Sequence, residues 1–144
     1  MKKLVALVFA FWVPLAHASE WMHLFNTDAE EYYIDLESIK PTNSYNKDTI
    51  KSWFRVDIFK DVVKDGMAVG DKTYVLYTMD CKYKKLGLTQ GIRYKNGKQF
   101  GTNLNMPNPL MKDAIPDSNG DEMLSKACSI YEIQNGTRSY MQNE

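Results

Sequence analysis

The sequence predicts an α+β domain of about six mostly antiparallel strands followed by one C-terminal helix. Three observations carry this. Short segments that alternate large and polar residues recur from Trp21 to Leu104, divided by turn-forming residues. Their connections are short, which favours antiparallel neighbours. One stretch, Ser118 to Ser129, spaces its apolar residues at helical intervals.

In chain order, Trp21 to Phe25 is the first strand, and Thr27-Asp28-Ala29 turns the chain into a second, Glu30 to Asp35. Ser38 to Lys47, with Pro41, Asn43, Ser44 and Asn46, reads as loop. Thr49 to Phe59 is the clearest strand: Phe54, Val56 and Ile58 point one way, Trp53, Arg55, Asp57 and Phe59 the other. After a polar link, Thr73 to Cys81 places Val75, Tyr77, Met79 and Cys81 on one face, the core side because it holds the cysteine. Lys82 to Lys85 is a tight turn. Leu86 to Tyr94 follows with Leu86, Leu88, Ile92 and Tyr94 expected on one face, and Gly87 and Gly91 on the other, where something packs closely or the strand bulges. Asn96-Gly97 is a strong hairpin signal leading to Gln99 to Leu104. Met106 to Pro116 holds three prolines and reads as a crossing loop. In the helix, Ser118 caps with Asp121 in the first turn, and Met123, Leu124, Ala127, Cys128 and Tyr131 share one face.

Residues 1–18 read as a cleavable signal peptide. Lys2 and Lys3 precede the apolar run Leu4 to Leu15, and Ala16-His17-Ala18 has the small-x-small form that signal peptidase accepts, with cleavage expected before Ser19. Twelve apolar residues are too few for a helix to cross a membrane, which takes roughly 20. No cysteine at the junction offers a lipid anchor there. The organisation expected is a leader over 1–18, one domain over 19–131 and a polar tail over 132–144, in an exported protein that is periplasmic or secreted, with surface association as a further option. The processed chain holds 16 basic and 18 acidic residues, a net charge of −2, which excludes bulk polycation binding to nucleic acid. Both cysteines fall in the exported part, where an even count reads as a Cys81–Cys128 disulfide.

Catalytic chemistry is sparse. His23 is the one histidine left after residue 18. No zinc spacing, Gly-x-Ser-x-Gly elbow or phosphate-binding glycine loop occurs, and no cofactor or metal is expected. Asp117, Asn119 and Asp121 lack the glycine and glutamate positions of a calcium loop. The feature that stands out is a 17-residue run without an acid, containing Lys82, Lys84, Lys85, Arg93, Lys95 and Lys98 interleaved with Tyr83 and Tyr94. These eight residues form the candidate ligand patch, expected to gather near the hairpin turns and meet an anionic partner.

Trp21, then Tyr32-Tyr33-Ile34-Asp35 with Ser38-Ile39, then the Trp53 strand, Asp80-Cys81-Lys82 with its basic turn, Pro116 and the helix bearing Cys128 form one ordered set. Over roughly Trp21 to Cys128 this order resembles the surface-adhesin protein E family of Gram-negative bacteria. The resemblance implies a curved antiparallel sheet of about six strands with a C-terminal helix tied to it by the disulfide. It also implies a non-enzymatic exported protein that adheres to host extracellular-matrix components, and homodimers. The alternative expectation is a periplasmic inhibitor or envelope-assembly factor.

Overall fold

Every strand expected from alternation is present and pairs with the next expected one. The computed structural model describes residues 19–43, 45, 47–60 and 66–141; the leader expected over 1–18 lies outside them. Trp21–Asn26 (β1), Glu30–Asp35 (β2), Thr49–Ile58 (β4), Lys72–Asp80 (β5), Lys85–Lys95 (β6) and Lys98–Asn105 (β7) form an antiparallel sheet in the order β1-β2-β4-β5-β6-β7. Two more strands are only two residues long. Lys40–Pro41 (β3) pairs with β4, and Lys112–Asp113 (β8) pairs with β6. Both sit in segments expected to be loop, and a two-residue strand is too short to show alternation.

The β6–β7 turn confirms its signal: Asn96 and Gly97 both have positive φ, 50° and 72°, as the tight hairpin turn requires. The β5–β6 register breaks once. Leu76 pairs with Gln90 and Tyr77 with Leu88, so Thr89 is an extra residue, a β-bulge. The bulge is held by a 3.0 Å bond between the Thr78 and Thr89 hydroxyls and by Met106 N–H donating to the Thr89 carbonyl. It also corrects the expected face assignment. Leu86 and Leu88 sit opposite Met79 and Tyr77 on the core side, whereas Ile92 and Tyr94 lie past the bulge on the opposite face. The two glycines likewise part company. Gly87 lies under the crossing loop: a Cβ there would meet Met111 Sδ at 2.9 Å and the Leu110 carbonyl oxygen at 3.2 Å.

The core lies between one sheet face and the helix Asn119–Met141 (α1). Ile34, Ile50, Phe54 and Met79 from the sheet cluster with Met123, Leu124, Ala127, Cys128 and Tyr131 from the helix, all buried. Ser118 Oγ accepts from Asp121 N–H at 3.2 Å and starts the helix. Cys81 and Cys128 are bonded, with Cα atoms 5.7 Å apart. Asn119 Nδ2 donates to Tyr32 Oη at 3.0 Å, and Lys126 Nζ donates to the Leu24 carbonyl at 2.6 Å. The helix is longer than expected: it continues past Ser129, and the segment read as a polar tail is helical through Met141. Once three turns are packed, each added residue extends the helix at little cost and needs no apolar face of its own. Gln134 Nε2, at 3.3 Å from the Leu36 carbonyl, ties this extension back to the domain.

Candidate functional site

With α1 on one face, the sheet's other face is left to the side chains of the alternate positions. The strand registers set these in transverse rows. Trp21 pairs with Asp35, and Trp53 pairs with Leu76. In the next row His23 pairs with Tyr33, Tyr33 with Arg55, Arg55 with Tyr74, and Tyr74 with Ile92. In the third, Glu31 pairs with Asp57, Asp57 with Lys72, and Lys72 with Tyr94. Four aromatic residues from four strands therefore meet on one surface. They enclose an open groove of about 660 Å³, bounded by Ser19, Trp21, Asp35, Trp53, Lys72, Tyr74, Ile92, Tyr94 and Gly97. That volume lies within the ~300–1,000 Å³ range of ligand sites.

The groove wall is held by ring and charge contacts. Trp21 packs edge-on against Tyr74 at 5.7 Å, and Tyr74 against Tyr94 at 5.6 Å. The Arg55 guanidinium lies 4.2 Å from the Tyr33 ring centroid and 5.1 Å from that of Trp21. Asp57 neutralises it, accepting from Arg55 Nε at 2.9 Å and from Lys72 Nζ at 2.8 Å. The Glu31 carboxylate, accepting from Tyr33 Oη at 2.8 Å, holds that phenol above its ordinary range. Asp71, 2% exposed, accepts from Asn96 N–H at 2.9 Å and Ala68 N–H at 2.8 Å, and so ties the hairpin turn beside Gly97 to the preceding connection. Those two donors, the Asn96 bond foremost, hold its carboxyl below the usual range.

Seven of the eight residues of the expected basic patch fall into two groups. Lys82, Tyr83 and Lys84 occupy the β5–β6 turn, and Lys85 opens β6. There Lys82 Nζ lies 5.4 Å from the Tyr83 ring, Lys84 Nζ donates to Ser125 Oγ at 3.4 Å, and Lys85 pairs with Asp113 at 3.6 Å. Arg93, Lys95 and Lys98 stand at the far end of β6 and the start of β7. Arg93 and Lys95 lie 5.4 and 5.5 Å from the Phe100 ring, and Lys95 Nζ donates to the Gly66 carbonyl. Ten residues of strand, roughly 30 Å at ~3.3 Å each, separate Lys85 from Lys95. Tyr94 belongs to neither group; it lines the groove.

Sequence reasoning missed the groove. Trp53 and Arg55 were visible as partners on one strand face, but which residues of other strands join them depends on register and on the bulge at Thr89. Among the described residues, no group of three His, Cys, Asp or Glu side chains is placed to hold a metal. His23 is exposed, with Nε2 at 2.5 Å from Asn26 Oδ1 and its ring edge-on to Tyr33. Among the described residues, no helix is long and apolar enough to cross a membrane. No curated protein matches the chain. A family model described as surface-adhesin protein E matches residues 21–129.

Proposed function

The chain belongs to the surface-adhesin protein E family, and from that premise we propose an exported, non-enzymatic binding protein that adheres to host extracellular-matrix components through the groove on the sheet face opposite the helix. One observation carries the choice of surface: four aromatic side chains from four strands converge there, next to one acid and one base. Such a surface supplies contact area and orientation for a bound partner. The thiols are consumed in the disulfide, and the exposed His23 is engaged by Asn26. On this reading, residues 1–18 are removed on export, and the two basic groups flank the groove's strands as steering charges for an anionic partner.

The test passes the purified protein, tagged at its C-terminus, over a panel of immobilised matrix glycoproteins. Saturable retention is expected, with at least tenfold weakening on Trp21→Ala combined with Tyr94→Ala. Charge reversal is made separately at Lys84 with Lys85 and at Arg93 with Lys98. Each pair is expected to reduce retention mainly at low salt. An absence of retention, or retention indifferent to the groove variant, would overturn the proposal. Cell fractionation checks export, which requires the processed chain outside the inner membrane.

A further inference from the structure

We infer that the groove takes a proline-rich segment in the polyproline II conformation; this rests on the adhesive reading of the same groove and names its ligand class. A polyproline II strand is ordered before it binds, so docking costs little conformational entropy, and its rings offer flat apolar faces to aromatic walls. Trp21, Tyr74 and Tyr94 form one connected run with centroid steps of 5.7 and 5.6 Å, at most about 11 Å end to end. One polyproline II turn, three residues at ~3.1 Å each, covers about 9 Å. Prolines at positions i and i+3 therefore reach the two ends of the run. The rings brace one another edge to face, so the wall is formed before the ligand arrives.

A polyproline II strand has no internal hydrogen bonds and brings carbonyls that need donors. Among the described residues, no side chain hydrogen-bonds the hydroxyls of Tyr74 and Tyr94 or the indole N–H of Trp21 and Trp53. Asp35, 8% exposed, stands in the groove wall with one carboxylate oxygen accepting from Glu37 N–H at 3.1 Å. An acid there favours a Lys or Arg flanking the prolines. The cavity of about 660 Å³ suits one short strand rather than three chains wound together.

Tryptophan fluorescence reports on the groove directly. The chain has three tryptophans; Trp12 lies in the leader, and Trp21 and Trp53 both line the groove. The processed protein is titrated with decaproline, Arg-flanked decaproline, a Gly/Ser decapeptide and a triple-helical Pro-Hyp-Gly peptide. Decaproline is expected to give a saturable change, with the Arg-flanked peptide binding at least threefold tighter and Asp35→Asn removing that advantage. Tyr94→Ala should weaken binding at least tenfold, and Tyr94→Phe, which keeps the ring and loses one hydroxyl donor, should weaken it less, with circular dichroism showing both variants folded. Four results would overturn the inference: no response to decaproline, an equal response to the Gly/Ser peptide, an unchanged affinity in Tyr94→Ala, or a response confined to the triple-helical peptide. Matrix retention that the groove variant abolishes, with no decaproline response, sinks this inference and leaves the adhesive reading standing. Decaproline binding without matrix retention does the reverse.

Discussion

Replacing Cys81 and Cys128 together by alanine removes the covalent link between the end of β5 and the middle of α1, 47 residues apart in sequence. In the chain-entropy treatment, a closed loop of that length restricts the unfolded chain by about 4 kcal/mol at 25 °C. Cys128 is 7% exposed, so the lost sulfur adds a packing cost of up to ~1 kcal/mol. For a chain of about 126 residues, the length expected once the leader over 1–18 is removed, an unfolding entropy near 2.1 cal/mol/K per residue converts 4 kcal/mol into a fall in Tm of about 15 °C. The assay is guanidinium unfolding of wild-type and double-alanine protein, followed by far-UV circular dichroism and extrapolated to water. Below the transition the two spectra should coincide, because Met123, Leu124, Ala127 and Tyr131 remain buried against the sheet. A loss below 1 kcal/mol would refute the loop-closure reasoning. A drop in helical signal before unfolding would show that the bond, and not the packing, holds the helix in place.

Gly87→Ala should cost ~1–3 kcal/mol, because its Cβ meets a backbone carbonyl as well as Met111 under the crossing loop; a shift in the urea midpoint measures it. Asp71 contributes stability that is fully present above about pH 4 and is lost as the pH falls through its lowered native value. Acid unfolding of Asp71→Asn should therefore depend less steeply on pH than that of the wild type. Tyr32 is pushed upward by burial and by the Glu30 carboxylate that accepts its hydroxyl at 2.7 Å. Its contribution holds below about pH 10 and declines above that, and Tyr32→Phe should flatten the alkaline limb of the stability profile. Leu124→Ala, at a fully buried helix position, should cost ~2–5 kcal/mol in the same denaturant assay.

Strand positions were legible wherever one face is buried, because alternation then has a physical cause. Thr49 to Ile58 is the clearest instance, with Ile50 and Phe54 fully buried on one side and Trp53 and Arg55 on the other. The disulfide was legible from cysteine count and compartment alone. Three features were not. The bulge at Thr89 leaves no mark in composition, and it moved Ile92 and Tyr94 across the sheet. The last turns of α1 extend from a packed helix and needed no apolar stripe. The groove is a product of register: Trp21, Trp53, Tyr74 and Tyr94 lie up to 73 positions apart and meet only through four strand pairings. The basic run was visible because its members are close in sequence, and along a strand that closeness became separation, since β6 carries Lys85 and Lys95 at opposite ends.

Ser19 forms part of the groove wall, and this bears on how binding should be measured. Anything joined ahead of Ser19 starts at the proposed binding surface and acts there as a tethered competitor. A short flexible extension sees the groove at an effective concentration of about a millimolar. An N-terminal affinity tag with millimolar affinity for the aromatic wall would fill roughly half of the sites before any partner is added. It would weaken the apparent affinity about twofold, and moving the tag to the other terminus would restore it.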